Sequence, residues 1–165
     1  MNFIFETSVN AFEAFLILEF LAQYFSFRTQ APLRYIGFCI FGIISIFSIT
    51  FFSWNVSFEV LYSLAQILIN ILFCMCLLNG SIGAKIFMSA FTMVGIVLLS
   101  SFTAFFIGHV FQGEIQEIYT QFNLVRITAI LMSKVLFFQV TRIILRIKTN
   151  ASLLKLDIIP LVIIP

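Results

Sequence analysis

Five long apolar stretches dominate this chain and leave it little choice of fold. They run over about residues 3–25, 35–53, 59–78, 86–108 and 124–147. Each approaches the roughly 20 residues that a helix needs to cross about 30 Å of hydrocarbon. Composition closes off the soluble alternative. Of 165 residues, 62% are apolar and 10% charged, against roughly 45–50% and 25% in soluble domains. A domain of this size keeps too much surface exposed to hide 23 phenylalanines from water. The stretches do not alternate apolar and polar residues as barrel strands do. A helix in lipid satisfies its own backbone groups, so the expected fold is all-α: a polytopic transmembrane helical bundle with five full spans. The first stretch lacks a basic n-region and a small-residue cleavage site, so it reads as a span and not as a signal peptide.

Orientation follows from where the cations lie. The link after the first span, "SFRTQAPLR", carries Arg28 and Arg34, and the link after the third, "NGSIGAK", carries Lys85. The end of the fifth span and its continuation, "TRIILRIKTNASLLK", carry Arg142, Arg146, Lys148 and Lys155. The links "FSWNVSFE" and "HVFQGEIQEIYTQF" contain neither Lys nor Arg. Lys and Arg accumulate on the cytoplasmic side, so the N-terminus is expected outside, with odd-numbered spans running inward. The basic flank could also attract anionic lipid headgroups. After Asp157 the chain turns apolar again, "IIPLVIIP", which as helix reaches only about 12 Å. It reads as a truncated sixth span, in the front part of a longer protein.

The first span raises a problem, because it holds Glu6, Glu13 and Glu19. At about 100° per residue, Glu6, Asn10 and Glu13 share one stripe, while Glu19 and Gln23 fall on nearly the opposite face. A charge at mid-helix costs about 2.5–3.5 kcal/mol on insertion scales, while each Leu, Ile or Phe contributes only about 0.3–0.6. The first span therefore needs partners. Lys134 sits near the middle of the fifth span, about as deep as Glu13, and Arg126 near its outer end, at the depth of Glu6. Depth matching predicts the pairs Glu13–Lys134 and Glu6–Arg126. Such groups can simply hold a bundle together, or they can mark a ligand or signalling site.

Other signals are weaker. Tyr62, Gln66 and Asn70 form a polar stripe on the third span suited to interhelical hydrogen bonds. Ser100, Ala104 and Gly108 form a small-residue groove on the fourth, expected at an internal helix contact. Cys39, Cys74 and Cys76 fall within spans and read as small apolar residues. No metal-ligand spacing accompanies "CMC". His109, at the outer end of the fourth span, reads as a membrane-interface residue. The sequence has none of the nucleotide-binding, zinc-protease or nucleophile-elbow motifs, and nothing points to nucleic acid.

Two stretches carry a family resemblance. They are "LMSKVLFFQVTRIILRIKTNASLLKLDIIPLVIIP" and the start of the fourth span, "NGSIGAKIFMSAF". In layout the chain resembles the membrane sensor region of sensor histidine kinases with a GHKL-type ATPase domain, the group that includes quorum-sensing receptors for signalling peptides. The resemblance implies a multi-pass receptor in the bacterial cytoplasmic membrane, homodimeric at full length, that detects an extracellular peptide or small ligand. It implies a cytoplasmic kinase that passes phosphate to a response regulator. No catalytic residue or cofactor falls within these residues. ATP and Mg would belong to the kinase domain, whose histidine helix and ATP-binding boxes are missing here, and His109 cannot stand in for that histidine. It also makes the longest outer link, with His109 at its edge and Glu114, Glu117 and Tyr119 within it, the expected ligand-facing surface, although a solvated acidic link would look the same. The rival expectation is a small substrate-binding subunit of a vitamin or metal transporter, holding a polar solute through Glu13, Asn70 and Lys134.

The charge layout sets a topology test. With the native cysteines replaced, a cysteine at Gln116 should react with an impermeant thiol reagent in intact cells. One at Gln30 should react only after permeabilisation. The reverse pattern would overturn the orientation.

Overall fold

A computed structural model describes residues 3–53, 59–110 and 124–162, with side chains placed over 4–52, 61–110 and 124–149. Five helices account for nearly all of it: α1 (Phe3–Phe25), α2 (Ala31–Ser53), α3 (Glu59–Leu77), α4 (Ile82–Val110) and α5 (Leu124–Val162). The described residues contain no strand, only an isolated bridge between Phe27 and Leu78. Glu114, Glu117 and Tyr119 lie outside the described residues.

Packing runs α5 on α4, α4 on α3, α3 on α2 and α2 on α1, and α1 also touches α3, α4 and α5. Helix α1 is thus the centre of the bundle. Ala14, Leu16, Ile17, Leu18, Phe20, Leu21 and Ala22, all on α1, are buried. The outer surface is apolar: Ile43, Phe47, Leu64, Phe87, Leu98, Phe105 and Ile143 are all exposed, each on a helix surrounding α1. The interior holds Asn10, Glu13, Ser45, Gln66, Asn70, Ser89, Thr92 and Lys134. A protein in water would place these two sets the other way round; hydrocarbon makes the arrangement favourable.

Among the described residues, three helices are long and apolar enough to cross a membrane: Ala31–Phe52, Ile82–Val110 and Leu124–Thr149. Helix α1, which carries three glutamates together with Asn10 and Gln23, falls outside that group, and the apolar part of α3, Leu61–Leu77, is shorter. The last helix differs from its sequence expectation. A polar link was expected after about residue 147, yet α5 continues as one helix to Val162. Nothing between Lys148 and Ile159 is Gly or Pro, the two residues that most disfavour a helix interior, so the polar turn residues do not break it.

The two ends of the bundle are built differently. At the end holding the C-termini of α1 and α3, Phe73 is met edge-on by Phe38 and Phe41 at 6.0 and 5.6 Å. It belongs to a continuous core with Leu18, Leu21, Cys74, Leu78, Met88, Met93 and Phe137. The links there are stitched together: Arg28 N–H donates to the Leu77 carbonyl at 2.8 Å and Asn79 N–H to the Ser26 carbonyl at 3.0 Å. At the opposite end, among the described residues, the buried apolar cluster is Ile107 and Ala129, with Val125 against it.

Lysines finish the stitched end. Neither α1 nor α3 has a basic residue in its last turn, so their terminal carbonyls need cations from elsewhere. Lys85 of α4, buried, donates to the Leu78 carbonyl at 2.7 Å. Lys148 of α5 donates to the Tyr24 carbonyl and lies over the Tyr24 ring at 4.2 Å. Lys85 is therefore more than a link cation: it caps a neighbouring helix.

Gly80 allows the α3–α4 link to turn. Its φ is +113° and a Cβ there would sit 2.9 Å from Phe25 Cδ1. Gly80→Ala should cost about 1–3 kcal/mol through backbone strain and this clash, read as a lower unfolding midpoint in detergent. An unchanged midpoint would contradict the link geometry.

Candidate functional site

The charged residues of α1 and α5 meet in two places. Arg126 Nη2 donates to Glu6 Oε1 at 2.6 Å. One level deeper, Lys134 Nζ donates to Glu13 Oε2, with both residues buried. These are the partners that depth matching predicts. The geometry is regular because α1 and α5 run parallel. Glu6 and Glu13 are seven residues apart, about 10 Å of helix rise, and Arg126 and Lys134 eight, about 12 Å.

A third helix completes the deeper pair. Tyr62 of α3 donates its hydroxyl to Glu13 Oε1 at 3.0 Å, so each oxygen of the carboxylate has a donor. Asn10 of α1 donates to Thr50 Oγ1 of α2 at 3.3 Å. Tyr62 was read from sequence as part of a polar stripe; only the fold shows that it serves Glu13. The other two members of the stripe turn elsewhere. Gln66 Nε2 donates to Ser45 Oγ at 2.8 Å and to Asn70 Oδ1 at 3.4 Å. Gln66 Oε1 and Asn70 Nδ2 are buried without a hydrogen-bond partner among the described residues.

Between α1, α4 and α5 the two ion pairs line one cleft of about 210 Å³. Its polar wall is Glu6, Asn10, Glu13, Arg126, Ser133 and Lys134. Small residues make the room: Ser100 and Ala104 on α4, and Ala129 on α5. Gly108, the last of the small-residue groove on α4, is buried near the same end, and α4 packs on α5. The cleft therefore lies in the half of the bundle with the smaller apolar cluster.

The remaining site residues fall elsewhere. Glu19 accepts from Gln23 Nε2 at 2.7 Å and forms no ion pair among the described residues; with Arg142 it borders a smaller cleft on the same α1–α5 seam. Arg142 lies over the Phe138 ring at 5.0 Å. His109 is exposed in the last turn of α4. Asn70, named with Glu13 and Lys134 as a solute-holding set, does not line the cleft. Among the described residues no group of three or more His, Cys, Asp or Glu side chains could hold a metal ion. Cys74 is buried with its sulfur 3.9 Å from Ser89 Oγ, and Cys39 and Cys76 are exposed.

No family model matches this chain, nor does any curated protein or solved structure.

The deeper pair yields a double-mutant test. Lys134→Met should lower stability in detergent by about 3–5 kcal/mol, because it leaves a buried carboxylate without its cation. Adding Glu13→Leu should recover at least half of that loss. Strictly additive effects would mean that the two residues do not interact.

Proposed function

We propose that this bundle is the membrane-embedded sensing portion of a signalling receptor of the GHKL-type sensor histidine kinase class, taking an extracellular ligand and acting through a cytoplasmic kinase. The observation that carries the reading is α5. It supplies both cations of the cleft, Arg126 and Lys134, and then continues unbroken past the basic end of the bundle to Val162. A change at the cleft therefore has a direct mechanical route along one helix. The proposed orientation puts the cleft end outside and the basic end at the cytoplasmic surface, with all five helices spanning the bilayer.

The uneven core supports the same reading. One end is fixed by a continuous apolar core, stitched links and lysine caps. Among the described residues, the other is held mainly by hydrogen bonds and ion pairs around an open cleft. Regions with few buried apolar contacts open at lower free energy, and a ligand can shift a conformational equilibrium only through different affinity for its states. A receptor needs this combination of a yielding end and a firm end. The transporter-subunit reading called for Asn70 beside Glu13 and Lys134, and Asn70 does not line the cleft.

The full-length protein in native membranes tests this. Incubated with ATP and Mg, it should take phosphate onto one of its own histidines and pass it to a response regulator. A full-length polypeptide that ends within one further helix, or that takes no phosphate, would overturn the receptor-kinase reading.

A further inference from the structure

We infer that the α1–α4–α5 cleft is a binding site for a small zwitterion, a molecule with one cationic amine and one anionic oxyacid group several bonds apart. The inference takes the location of the ligand from the receptor reading and uses nothing of the kinase.

Charge balance selects the ligand class. Glu6 and Glu13 face Arg126 and Lys134, so the cleft carries two formal charges of each sign. A ligand of net charge would leave that charge uncompensated beside the buried Glu13 and Lys134, which is costly. A neutral apolar ligand would strip water from the ion pairs and return nothing. A zwitterion adds one charge of each sign and leaves the balance at zero.

Unused hydrogen-bonding capacity points the same way. An ammonium has three donors, and Glu13 takes one from Lys134. A carboxylate offers about four lone-pair positions, and Glu6 Oε1 engages Arg126. A ligand carboxylate at Lys134 and an ammonium at Glu6 would thus join both levels without displacing either pair. Those levels are about 10–12 Å apart along the helix axes, which is why the two ligand charges must be separated. The cleft volume of about 210 Å³ leaves room for a small organic molecule on the scale of an ω-amino acid. A zwitterionic lipid headgroup offers the same pair of charges, since Glu6 and Arg126 stand in the first turns of their helices.

The test is isothermal titration of the full-length protein in nanodiscs of phosphatidylglycerol, a bilayer without zwitterionic lipid. The probe is 5-aminopentanoate, with pentanoate and pentylamine as its singly charged halves. The zwitterion should bind at least about tenfold more tightly than either half. That preference should disappear in Glu13→Gln/Lys134→Gln and in Glu6→Gln/Arg126→Gln, two neutral pairs of which either suffices if the other fails to fold. Adding phosphatidylethanolamine to the discs separates the sources. Competition with the probe identifies a lipid headgroup, and no competition a soluble zwitterion; both support the site. Equal binding of the halves, unchanged binding in the neutral variants, or no heat from the zwitterion would overturn the inference. Autophosphorylation without zwitterion binding refutes only this ligand class, and binding without autophosphorylation refutes only the kinase.

Discussion

A carboxylate deep within an apolar bundle needs the protein to replace the hydration that it has lost. Glu13 has that replacement in a cation from α5 on one oxygen and a phenol hydroxyl from α3 on the other. The bundle's arrangement depends on this exchange. A helix with three acids cannot face hydrocarbon on every side, so α1, the most acidic helix, takes the central position and its apolar neighbours form the exterior. Breaking such a pair costs far more than the pair contributes over a well-packed apolar substitute. The arrangement is therefore better explained by specificity of assembly, or by use, than by stability alone.

The same economy of charge governs the opposite end. Helices α1 and α3 end without cations of their own, and Lys148 and Lys85 reach across from α5 and α4 to their last carbonyls. Together with the bridge between Phe27 and Leu78, these contacts tie helices at the end where the apolar core is thickest. At the cleft end, polar contacts outweigh apolar packing among the described residues. Helix α5 takes part in both regimes: its first turns hold cations in the cleft, and its later turns hold the cap on α1.

Much of this was legible in the sequence. Apolar runs located the five helices because each run is long enough to form a helix and no strand alternation competes with it. Counting residues from each helix start was enough to match Glu6 with Arg126 and Glu13 with Lys134, because the helices run parallel. The small residues Ser100 and Ala104 were legible as a groove, and the structure sets them on the wall of the cleft. What escaped depends on azimuth and on contacts between distant segments. Tyr62 has the spacing of its stripe but a different partner from Gln66 and Asn70. Lys85 looks like an ordinary link cation, although the missing basic residue at the end of α3 was an available signal. The continuity of α5 escaped because "KTNAS" has turn-forming composition without a residue that prevents helix. The cleft was not legible, because its volume depends on how three helices meet.

The central claim is that Lys134 and Glu13 touch as charged groups inside the bilayer. Solid-state NMR measures this most directly, by dipolar recoupling between lysine ¹⁵Nζ and glutamate ¹³Cδ in protein reconstituted into lipid bilayers. Lysine–glutamate dephasing is predicted at salt-bridge range, about 4 Å or less, and should vanish in Lys134→Gln. No dephasing in the native protein, or the same dephasing in the variant, would contradict the account.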